Sequence, residues 1–67
     1  GTEEEKIMLS LRLNKGLEIE FNPRLRLKCD LLEKNGLLKL YGNRIVLTDK
    51  GMLLSNSIIT EILECFI

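Results

Sequence analysis

Four asparagine-containing breakers cut this chain into short pieces: Asn14-Lys15-Gly16, Asn22-Pro23, Asn35-Gly36 and Gly42-Asn43. Glycine supplies backbone conformations that other residues resist, proline fixes φ, and asparagine tolerates turns. Up to Asn43 a chain so punctuated is confined to short helices and strands folded back on one another. Its 67 residues make one small domain, spanning 1–67. Such a domain buries only about 60% of the surface its unfolded chain exposes. Hydrophobic residues are 45% of the chain and aromatics only 4%, so leucine and isoleucine must fill the core.

The pieces between the breakers read in order. Thr2-Glu3-Glu4-Glu5 opens a helix, with Thr2 as cap, Glu5 in capping-box position and acidic charge at the positive end of the dipole. Ile7, Met8, Leu9, Leu11 and Leu13 give it a wide apolar stripe, and Gly16 offers a left-handed stop. Leu17 to Phe21 is either a brief extended piece or a single helical turn. Pro23 to Asn35 is a second helix, with Leu25, Cys29 and Leu32 on one face and Leu27 and Leu31 widening it. Gly36 ends that helix. Leu37 to Tyr41 and Arg44 to Leu47 flank Gly42-Asn43 as a hairpin. Thr48 caps a last helix, in which Leu54, Ile58, Ile62 and Phe66 recur every fourth residue. At about eighteen residues it would span ~27 Å. Gly51 is a poor helix former there, which predicts close approach of another backbone or of a side chain such as Tyr41. The expected fold is α+β and mostly helical: a winged-helix-like three-helix core, a β-hairpin wing and a long C-terminal helix.

Several chemistries lack their residues. There is no histidine, the commonest general base and a common metal ligand. Cys29 and Cys65 stand far apart with no CxxC, so no zinc or cluster site is read, and they are expected to be small buried side chains. No phosphate-binding glycine loop, signal peptide or membrane-length apolar run occurs. A cytoplasmic chain with reduced thiols is expected. Ten basic and ten acidic residues cancel, whereas a dedicated nucleic-acid module carries a basic excess. One alternative reading uses Arg24, Arg26 and Lys28 on a recognition helix, with Arg44 and Lys50 on the wing, as in winged-helix DNA binders. Asp30 and Glu33 on the same helix make a solvated face the simpler account. Ser55-Asn56-Ser57 reads as a solvated patch or as a docking contact to a partner domain.

Three motifs carry a resemblance. "LSLRLNKG" (Leu9–Gly16), "GLL" (Gly36–Leu38) and "LTDKGMLLSN" (Leu47–Asn56) resemble, in order, the C-terminal domain of radical SAM proteins of the oxygen-independent coproporphyrinogen III oxidase type, especially the haem-chaperone branch. The stretch "LEIEFNPRLRLK" departs from the family by inserting Pro23 and basic residues. The resemblance implies the C-terminal fragment of a larger protein, an oxidoreductase of porphyrin biosynthesis or a haem chaperone. This domain would be non-catalytic. It would dock on the radical SAM barrel of the same parent chain and help cover a porphyrin or haem site, with Arg12, Asn14, Ser55 and Asn56 as docking candidates. The parent's [4Fe–4S] cluster and S-adenosylmethionine would sit in the barrel, on a CxxxCxxC motif that this chain lacks. Cys29, Met8, Met52 and Tyr41 are the only conceivable axial haem ligands. Gly16, Gly36, Thr48 and Gly51 are read as turn and cap positions.

Overall fold

The structure is a computed structural model. It describes the backbone of residues 2–66 and the side chains of residues 4–66. The capping role expected of Thr2 lies outside the described side chains.

Helix α1 covers Thr2–Leu11, strand β1 Leu17–Glu18, helix α2 Pro23–Lys34, strands β2 Leu38–Tyr41 and β3 Arg44–Leu47, and helices α3 Asp49–Leu53 and α4 Ser55–Glu64. The fold is α+β and mostly helical. The hairpin turns on Gly42, whose φ of 61° is the only positive value in the Gly42-Asn43 loop, as a type II′ turn requires. Leu17 to Phe21 opens as a strand: Leu17 pairs with Ile45 and Glu18 with Arg44, antiparallel. The hairpin therefore sits in a three-stranded sheet of order β1-β3-β2. A two-stranded ribbon is marginal in water, and β1 gives β3 a partner on its second edge.

One core joins all layers. Ile7 and Leu11 come from α1, Leu25, Cys29 and Leu32 from α2, Leu17, Leu38, Ile45 and Leu47 from the sheet, and Ile58, Ile59 and Ile62 from α4. Side chains four apart share a helix face, so Ile7 and Leu11 bury together while Leu9 turns outward. Leu13 is also exposed. The chain leaves α1 through tight turns, with Arg12 N–H donating to the Leu9 carbonyl and Leu13 N–H to that of Ser10. The wide stripe expected of this helix is thus narrow. Helix α2 behaves alike: Leu25, Cys29 and Leu32 are buried, whereas Leu27 and Leu31 face solvent.

The long last helix is instead two helices. At Leu54 the backbone takes φ −110° and ψ 23°. Its N–H donates to the Gly51 carbonyl, three residues back, and its own carbonyl accepts from Ile58 N–H. Short helix α3 rests on β3, while α4 packs on α1 and α2. A straight helix has one axis, and the bend at Leu54 lets the chain meet both neighbours.

Candidate functional site

The junction between β3 and α3 is stitched to the loop that leaves α2. Asn35, Gly36 and Leu37 end α2 in a Schellman turn. Gly36 N–H donates to the Glu33 carbonyl and Leu37 N–H to that of Leu32, with Gly36 at φ 75°. Thr48 holds this turn from the other side. Its N–H donates to the Leu37 carbonyl at 3.1 Å. Its hydroxyl donates to the Gly36 carbonyl at 2.6 Å and accepts from Gly51 N–H at 3.1 Å. Gly51 is buried, and a Cβ on it would overlap the Leu37 carbonyl oxygen. The close neighbour is backbone, and Tyr41 is largely exposed. Gly16, at φ 78°, likewise lies against backbone, where a Cβ would overlap the Ile45 carbonyl oxygen. Four glycine and threonine positions thus fix how α1, α2 and α3 meet the sheet.

That frame sets the exposed face of α1 and the α3–α4 bend. The turns after Leu11 swing Arg12 toward α4, and its guanidinium donates to Asn56 Oδ1 at 2.6 Å. The bond joins two of the segments that carry exposed leucines: Leu9 and Leu13 on either side of Arg12, and Leu53 and Leu54 just before Ser55 and Asn56. Leu53 is 86% exposed, far more than a buried role in a helix would allow. A shallow recess of about 220 Å³ lies beside them, lined by Glu5, Met8, Leu9 and Arg12. Ser55 is half-buried at the start of α4, and Asn14 is exposed in the turn after α1. Leu9, Leu13, Leu53 and Leu54 are thus exposed on the two segments that the Arg12–Asn56 bond ties together.

Of the five basic residues of the alternative reading, two lie beside carboxylates, one over an aromatic ring and one beside a backbone carbonyl. Lys28 Nζ lies 3.4 Å from Glu61 Oε1, and Arg44 lies 3.6 Å from the Glu18 carboxylate. Arg26 stacks over the Phe21 ring at 4.7 Å. Lys50 Nζ donates to the Asn35 carbonyl at 3.5 Å, and Arg24 is exposed on α2. Opposite charges beside Lys28 and Arg44 reduce the field a phosphate backbone would meet.

Both cysteines are buried. Cys29 has no exposed surface, and both thiols are free. Burial, then the nearby Cys65 and Asp30, push the Cys29 thiol from 9.0 up to about 12, which keeps it protonated. Cys65 Sγ donates to the Glu61 carbonyl at 3.3 Å. Among the described residues no three His, Cys, Asp or Glu side chains gather as metal ligands. No helix among them is long and apolar enough to cross a membrane. Met8 and Met52 are half-buried on different helices.

The Arg12–Asn56 bond spans 44 residues, and no local pattern announces such a pairing. A second link of this kind also escaped sequence reasoning. Asn22 accepts from Leu25 N–H at 2.8 Å as the cap of α2, and its Nδ2 donates to the Cys65 carbonyl at 3.2 Å.

A family model described as the HemN C-terminal domain matches residues 4–54. No curated protein and no solved structure matches the chain.

Proposed function

The chain belongs to the HemN C-terminal domain family, and from that premise we propose that it is a non-catalytic accessory domain of an oxygen-independent coproporphyrinogen III oxidase-like radical SAM protein. It docks on the barrel of the same parent chain and helps cover a porphyrin or haem site. The observation that carries this reading is the face around the Arg12–Asn56 bond. Leu9, Leu13, Leu53 and Leu54 give it apolar contact area, and one guanidinium and one amide fix its register. The family's radical chemistry needs a cluster and S-adenosylmethionine, and cofactors of that kind supply the reactivity themselves. Both belong to the barrel, whose three-cysteine motif this chain does not contain. The chain's own contribution is to bind, to orient and to exclude water.

The test joins two measurements. The parent gene upstream of Gly1 should encode a CxxxCxxC-bearing barrel. That barrel, produced separately, should bind this chain, and Leu13→Glu or Leu53→Glu should weaken binding at least tenfold, about 1.4 kcal/mol. Both substitutions sit at exposed positions, so thermal melting of the chain should hardly move. A parent without such a barrel sinks the reading, and so does binding indifferent to both substitutions.

A further inference from the structure

Strand β2 is an outer strand of the sheet, whose order is β1-β3-β2. An edge strand leaves the backbone N–H and C=O of every second residue without a ladder partner. In β2 the register decides which residues these are. Tyr41 pairs with Arg44 across the two-residue loop, and Lys39 pairs with Val46. Residues flanking such a loop bond directly to each other, and the pattern then alternates. It continues past the strands, where Thr48 N–H donates to the Leu37 carbonyl. Leu37, Lys39 and Tyr41 therefore face β3, and Leu38 and Leu40 turn their backbone groups outward. One outward group is occupied: Leu40 N–H donates to Glu33 Oε2 at 2.8 Å. Glu33 is exposed in the last turn of α2. Its own carbonyl accepts from Gly36 N–H at 2.9 Å, so the Schellman turn fixes its backbone while its carboxylate lies along the open side of β2.

An incoming extended strand needs Leu40 N–H for its own carbonyl. A second copy of this chain supplies such a strand at matching length. Two β2 edges related by a two-fold axis through Lys39 pair antiparallel, with Leu38 of each against Leu40 of the other. Each copy must then release its Glu33–Leu40 bond, and Lys39 meets Lys39 at the centre, like charges directly opposite. We infer that Glu33 guards the free edge of the sheet: its carboxylate occupies Leu40 N–H and so keeps β2 from pairing with β2 of a second copy. Lys39, exposed on the same strand, adds a charge of the kind that edge strands carry against pairing. The bond between a carboxylate and a backbone N–H is charge-assisted, which makes it stronger than the neutral bond an incoming carbonyl would put in its place.

Removing the guard tests it. In sedimentation equilibrium over a concentration series, Glu33→Ala should tighten self-association about a hundredfold over the unaltered chain, about tenfold for the charge-assisted bond no longer lost in each copy. In that variant, exchange of the Leu40 amide should slow as concentration rises, which places the contact on β2. N-methylation of Leu40 in the Glu33→Ala chain, introduced by chemical synthesis, removes the N–H and keeps the side chain. It should return association to the unaltered level. Glu33 is exposed, so the core is left intact. Glu33→Ser carries the same expectation and replaces the alanine variant should circular dichroism show that one unfolded. A guard-free variant no more associated than the unaltered chain overturns the inference. So does association that N-methylation leaves in place, or a Leu40 amide whose exchange ignores concentration. None of these changes touches Leu13 or Leu53, so pairing at the edge and docking on the barrel are read separately.

Discussion

Single residues in this chain do different physical work even when they are the same type. Gly36 and Gly51 both stand beside Thr48, yet they are glycine for opposite reasons. At Gly36 the backbone is left-handed, at φ 75°, and nothing lies within 4 Å of a Cβ built there. Gly36→Ala should therefore cost about 1–2 kcal/mol, the penalty of that conformation for an L side chain. At Gly51 the difficulty is space: a Cβ meets the Leu37 carbonyl, a backbone atom that cannot swing aside. Gly51→Ala should cost about 3 kcal/mol, at the top of the range for overpacking. Urea unfolding of the two variants would order them, and equal losses would show that α3 can slide off the loop. The sequence made Gly51 visible as a poor helix former inside a capped helix. It could not say whether backbone or side chain stood opposite, because that neighbour is fourteen residues away. Cys29 gives the second prediction at this scale. Its thiol is raised in the fold from 9.0 to about 12, so the folded state prefers the protonated form. The stabilisation is complete below pH 9, where thiols in both states are protonated, and is lost as pH climbs toward 12. Unfolding free energy should fall between pH 9 and 11 in the natural chain, and Cys29→Val should flatten that fall.

Elements are joined here by short polar links, and these were the least legible part of the fold. Helix α2 was readable because its signals are local: Asn22, Pro23 and the Asn35-Gly36 stop all lie within a turn of what they end. The extent of the last helix was misread for the complementary reason. Leu54, Ile58 and Ile62 keep a helical period across the bend, and periodicity does not report a change of axis. Only the packing of α3 on β3 and of α4 on α1 and α2 requires one. Leu27 and Leu31 show the same limit, since a stripe on α2 says where leucines align and not which side has a neighbour. Asn22 is the link that invites a measurement, because its two amide atoms do separate jobs. Oδ1 caps α2, and Nδ2 holds the Cys65 carbonyl at the end of α4. Asn22→Asp keeps the acceptor and removes the donor, whereas Asn22→Ala removes both. The alanine variant should lose about 1 kcal/mol more than the aspartate variant, the ordinary worth of an N-cap. Amide exchange should localise the aspartate variant's loss to the last turn of α4. Exchange that quickens equally in α2 would contradict this division.

At the scale of the molecule, everything depends on one core with no reserve. Folded domains hold roughly 0.05–0.15 kcal/mol per residue, so a chain of 67 residues has about 3–10 kcal/mol in total by that measure. Strand β3 is the centre of the sheet, and Ile45 on it is fully buried, opposite Leu17 on one side and Leu40 on the other. Truncating it removes contacts with both flanking strands at once. Ile45→Ala should cost about 2–5 kcal/mol, a large fraction of all the stability there is. Leu53 is the counterexample of the same size class. It is a leucine in a helix, in the middle of the most distinctive motif of the sequence, yet it is 86% exposed. Leu53→Ala should move stability by no more than about 0.5 kcal/mol. The sequence made the two residues look alike, as aliphatics in periodic runs, and only the fold sorts them into one that closes the core and one that faces outward. Side-by-side thermal melts by circular dichroism check the contrast. Ile45→Ala should be substantially unfolded at 37 °C, with Leu53→Ala superposing on the unaltered chain. If Leu53→Ala melted early as well, the outer face would be part of what holds the domain together. A surface available for docking would then have to be sought elsewhere on the molecule.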